Sequence, residues 1–120
     1  MAGRGFVTSS GEVLIFRTGI LRLTLDPLRV EAHYLLSNME ILEVKEINPK
    51  TFVFLALAQN NFTLQYSLQT ISTDKGTLNP VANFETGGQE LHSASMILTP
   101  SMNAIVALDS VLYVYNMRTF

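Results

Sequence analysis

Short apolar runs separated by polar turns recur along the whole chain. Residues 52–58 are all apolar, as are 104–108. Runs of this length, rich in Val, Ile and Phe, fit strands covered on both faces. Elsewhere apolar and polar positions alternate, most clearly at Phe62, Leu64 and Tyr66, and the aromatic residues Tyr113 and Tyr115 follow Val111 at the same spacing of two. That period of two belongs to a pleated strand. Three hairpins follow from the pattern. Strands 5–8 and 13–16 flank Ser9, Ser10 and Gly11; strands 52–58 and 62–66 flank Gln59, Asn60 and Asn61; strands 104–108 and 111–115 flank Asp109 and Ser110. Asn, Asp, Ser and Gly suit such turns because they tolerate positive φ or bond their own backbone.

The aromatic ends of the hairpins fall at Phe16, Tyr66 and Tyr115, spacings of 50 and 49 residues. Pro49 and Pro100 stand just ahead of the last two hairpins, where a fixed φ and a missing N–H favour a turn between strands. A repeat of this length is the mark of a propeller or solenoid. It predicts an all-β fold of incomplete β-propeller blades, each a four-stranded antiparallel sheet. Strands are expected near 5–8, 12–17 and 20–25, then 41–47, 52–58, 62–67 and 78–84, then 94–98, 104–108 and 111–116. The blade-like segments span about 5–25, 41–84 and 92–120 of a single β-rich unit. One segment has a rival reading. Pro27 after Asp26, with Leu28, Leu35, Leu36, Met39 and Leu42 near helical spacing, would make 27–46 a helix in a compact α+β domain. The alternative makes 29–36 and 41–47 strands.

Composition narrows the function classes. The chain has 120 residues, 48% of them hydrophobic and 15% charged, with net charge -2. Disorder would need lower hydrophobicity and higher charge, and phosphate-driven nucleic-acid binding would need a basic stripe. No apolar stretch is long enough to span a bilayer, and residues 1–5 are too polar and glycine-rich for a signal peptide. The chain has no cysteine, which removes thiol chemistry and fits an intracellular setting, cytoplasmic or nuclear. His33 and His92 are the only histidines and neither has a ligand partner at metal spacing. Ser93 or Ser95 with His92 and Asp109 makes a triad only on paper, without a nucleophile elbow. Glu40, Glu43 and Glu46 read as a solvated face. No catalytic residue, cofactor or metal is expected. The turn with Asp74 and Lys75, and the turn with Asn60 and Asn61, are the candidate partner contacts, since loops on rigid scaffolds carry recognition.

Residues 87–117 resemble a WD repeat. Gly87 and Gly88, then His92 and Ser93, a strand at 96–98, a turn at 99–103 and a hairpin ending in Tyr115 and Asn116 follow that family's order. Tyr66 with Ser67 and Phe16 with Arg17 stand at the same closing position of the other units. The chain departs from the family in having no tryptophan and no aspartate at that position. The resemblance implies propeller blades in which His92 bonds Asp109 across the hairpin turn. Phe16, Tyr66 and Tyr115 would pack between blades. It also implies a non-catalytic protein–protein interaction scaffold. Little more than two blades cannot close a ring, so a protein partner, further copies or a longer product would complete it. The rival function is a small α+β enzyme or small-molecule-binding adaptor with an unrecognised site.

Overall fold

The computed structural model describes residues 4–16, 19–25, 27–35, 39–60 and 62–119. Every regular element among them is a strand except one 3-10 turn at Met117–Thr119. β1 (Arg4–Val7), β2 (Val13–Phe16), β3 (Gly19–Leu25) and β4 (Leu28–Leu35) form the first sheet in that order. β5 (Met39–Asn48), β6 (Thr51–Asn60), β7 (Thr63–Ser72) and β8 (Thr77–Phe84) form the second. β9 (Ala94–Leu98), β10 (Asn103–Leu108) and β11 (Val111–Asn116) form the third. All three are antiparallel meanders. The fold is all-β, built from open sheets of three or four strands.

The second sheet lies between the other two, and its sequence says why. On β6, Phe52, Phe54 and Ala56 join Leu14, Phe16 and Ile20 of the first sheet in one core. Val53 and Leu55, pointing the other way, join Met96, Ala104, Val106 and Leu108 of the third sheet in a second core. A strand covered on both faces has no polar phase, and so residues 52–58 read as an unbroken apolar run. Phe6 on β1 meets Phe52 edge to face, and β5 lies against β9. At the opposite side, Phe84 on β8 is held against Tyr113 and Tyr115 of β11, with ring centroids 4.8 and 6.1 Å apart. The second and third sheets therefore run close at their first strands and are wedged by aromatic rings at their last.

The helical alternative for 27–46 gives way to β4 and β5. A bulge explains the misleading spacing. Ile41 pairs with Ala56 and Glu43 with Leu55, so the extra residue Leu42 shifts the pleat. Ile41 and Val44, three apart, consequently share the face toward the first sheet, whereas Leu42 and Ile47 lean toward the third. An inserted residue of this kind converts a period of two into an apparent period of three. On β4, alternation and pairing with β3 place Tyr34 inward against the first core. Asp26 lies outside the described residues.

A polar clasp joins the first sheet to the turn between β7 and β8. Arg22 Nη1 donates to the Thr73 carbonyl and to Asp74 Oδ1, each at 3.3 Å, and Arg22 Nε faces Glu12 at 3.4 Å. The Tyr34 hydroxyl also donates to the Thr73 carbonyl. Lys50 Nζ reaches Asp74 Oδ2 at 3.0 Å. A hydrogen bond from Lys50 holds the Asp74 carboxyl below its ordinary 3.8; partial burial opposes this, and the Lys50 and Arg22 charges reinforce it. A carboxylate depressed by folding stabilises above its unfolded pKa and stops doing so as pH falls through the lower folded value. The difference in unfolding midpoint between the native chain and Asp74→Asn should therefore be full above pH 3.8 and should disappear in stronger acid. A difference that persisted unchanged through that acid range would show the carboxyl charge to be idle.

Candidate interaction surface

The sequence-derived residues separate into two groups. Tyr66 and Phe16 are buried and Tyr115 is half-buried, all in the cores between sheets. Phe16 sits on the second strand of its sheet, whereas Tyr66 and Tyr115 sit on the third. The Tyr66 hydroxyl accepts from the Leu91 amide at 3.0 Å, tying the β8–β9 connection to the second sheet. That connection is also held where the Leu64 amide donates to the Gly88 carbonyl. Both Gly87 and Gly88 have positive φ, 74° and 73°, the conformation that glycine adopts at least cost. Burial raises the Tyr115 phenol above its ordinary pKa, and neighbouring Tyr113 adds to the rise.

Asp109 occupies the β10–β11 turn with a left-handed backbone, φ 52°. Its Oδ1 accepts from the Ser93 amide at 2.9 Å, and its own amide donates to the Ser93 carbonyl at 2.9 Å. The link to the strand-entry segment thus arises from the Ser93 backbone, one residue beyond His92, whose side chain is exposed. Asp74 is exposed but engaged with Arg22 and Lys50, so it braces a turn. Lys75 is exposed in the same turn. Asn60 ends β6 opposite Thr63, and Asn61 lies outside the described residues. His33 and His92 are on different sheets or their connections. Among the described residues no group of three or more His, Cys, Asp or Glu could hold a metal.

The surface that stands out was not singled out from the sequence. Residues directly opposite across an antiparallel pair point to the same side, so each register maps a face. On the first sheet, the side away from the core carries Val7, Val13, Leu23 and Val30 in one row across all four strands. Ile15 with Leu21, and Leu25 with Leu28, extend it. On the third sheet, the side away from the core carries Ile97, Ile105 and Val114 in one row, with Ala107 and Leu112 in the next. Val30 is 60% exposed and Val114 61%. At the tip of the β6–β7 hairpin, Phe62 is almost wholly exposed. The signal for these faces was present as apolar residues in both phases of β2 and β10. A covered strand gives the same signal.

The third sheet also has a free side at β11. In the first two sheets the corresponding side of the third strand is paired with β4 and β8. Among the described residues β11 has no such neighbour, and its outward backbone groups can pair with another strand. Comparison with protein-family models, curated proteins and solved structures finds no match. Among the described residues no helix is long and apolar enough to cross a membrane.

Proposed function

We propose that the chain is a non-catalytic protein-interaction scaffold, a partial WD-repeat-like propeller whose open faces and edge dock other protein. The observation that carries this reading is the pair of apolar faces at the two ends of the sheet stack. Apolar patches of this kind on soluble proteins mark contact sites. Three features support the propeller form: repeated antiparallel meanders, a wedge of aromatic rings at the last strands, and Asp109 bonded back to the entry segment. The mechanism is addition of a strand along β11, with affinity from main-chain hydrogen bonds and selectivity from alternate side chains. A cytoplasmic or nuclear setting suits a chain with no cysteine.

The test is amide exchange along β11 in the chain isolated with its bound protein from the cells that make it, against the same chain alone. Strand addition protects outward amides that are otherwise open to solvent. Protection of β11 in the complex and rapid exchange in isolation is the expected result. Equal exchange in both would overturn edge pairing. Turnover of a small molecule by the purified chain would overturn the non-catalytic reading.

A further inference from the structure

We propose that the partner covering both end faces is a second copy of this chain, docked head to tail so that two copies close a ring of six sheets. The inference rests on the partial-propeller reading and names the occupant that reading requires. In each junction the outer face of one copy's first sheet sits on the outer face of the other copy's third sheet.

Chemistry, area and continuity point to this occupant. The apolar rows of the first sheet have one titratable neighbour on their face, His33, which pairs with Leu21. The rows of the third sheet are bordered by Ser95, Asn103 and Asn116 and carry no charge. A charged or nucleic-acid partner has nothing to address here. From the exposures of their members, each end presents roughly 400 Å² of apolar surface, a size at which patches become contact sites. A closed pair buries both ends of each copy, about 800 Å² per partner, which is the ordinary size of a stable interface. Within the chain, sheets already stack through apolar rows of this type, with β5 against β9 between the second and third sheets. A second copy offers one leading and one trailing face in that same order, so both junctions repeat an interface that the chain already makes. Such head-to-tail contacts close into a ring when the rotation per unit allows it. Three sheets per copy give six in a pair, within the usual four to eight of a closed propeller; three copies would exceed that range.

The experiment is light scattering behind a sizing column on the full chain and on Val30→Lys and Val114→Lys. Both positions are mostly exposed, so each variant alters one end face, and circular dichroism verifies that each still folds. The native chain should run at twice the mass of one copy, and each variant should lose a two-fold-mass species. Mixing the two variants leaves one undamaged pairing of faces and should restore part of the two-fold mass. A native chain that stays at the mass of one copy at every concentration overturns the inference, as does a mass that grows without limit. Loss of association in only one variant overturns head-to-tail docking in favour of like faces pairing. These masses read docking of the faces and not pairing along the outer backbone edge of β11, so protection of that edge by another protein would leave the scaffold reading standing where this inference fails.

Discussion

Phe52→Ala should destabilise the chain by about 4 kcal/mol, near the upper part of the range for emptying a buried aromatic site. Phe52 is fully buried at the start of β6. Its ring meets Phe6 at 5.4 Å and 86° and Phe16 at 6.4 Å and 61°. Edge-to-face pairs add to the burial itself, so truncation removes both packing area and two ring contacts. The cavity would open between β1, β2 and β6, where the first and second sheets are joined. Domains of this size commonly have only about 5–15 kcal/mol in hand, so the variant should lose between about a quarter and four-fifths of its stability. Urea unfolding followed by circular dichroism measures the loss. A decrease under about 1.5 kcal/mol would mean that neighbouring side chains collapse into the space and that the first sheet does not depend on this ring.

Gly76→Ala should be the second most damaging single change, at about 3 kcal/mol, combining a left-handed backbone with overpacking. Gly76 closes the β7–β8 turn with φ 67° and donates its amide to the Ser72 carbonyl at 2.7 Å. A methyl group there would run into the Tyr34 ring. Tyr34 cannot retreat freely, because its hydroxyl is bonded to Thr73 and its ring packs on the first core. Gly87→Ala provides the comparison. Its φ of 74° is similar, yet nothing stands within 4 Å of the added carbon. That variant should cost only about 1 kcal/mol, the backbone share alone. Equal losses in the two variants, measured by thermal unfolding, would show that contact with Tyr34 contributes nothing.

These two residues illustrate how differently sequence reports on structure. Phe52 belongs to a continuous apolar run, and such a run implies an inner strand covered on both faces. Gly76 stands in the turn with Asp74 and Lys75, and its closeness to Tyr34 joins positions far apart in the chain. The same division explains Asp74 and Lys50. A turn residue with charge resembles a free recognition point, and only the folded chain brings Arg22 across from the first sheet to engage it. His92 was expected to bond Asp109, whereas the Ser93 amide makes the observed bond. A side-chain acceptor in a tight turn needs only a nearby N–H, and the sequence does not say which of two adjacent residues presents one.

By itself the sequence pointed to an all-β fold, to where most strands lie and to which turns join them, and left only 27–46 between a helix and strands. These are local properties: side-chain alternation, β-branched and aromatic residues, and turn residues that accept unusual φ. Only the tertiary structure decided the phase of β5, because one extra residue at Leu42 moved Ile41 and Val44 onto a common face. Only it separated β6, whose two sides the chain itself covers, from the equally apolar β10, where the outer side remains open. Periodicity records that a face is apolar. What covers that face depends on contacts between distant segments, which no local pattern encodes.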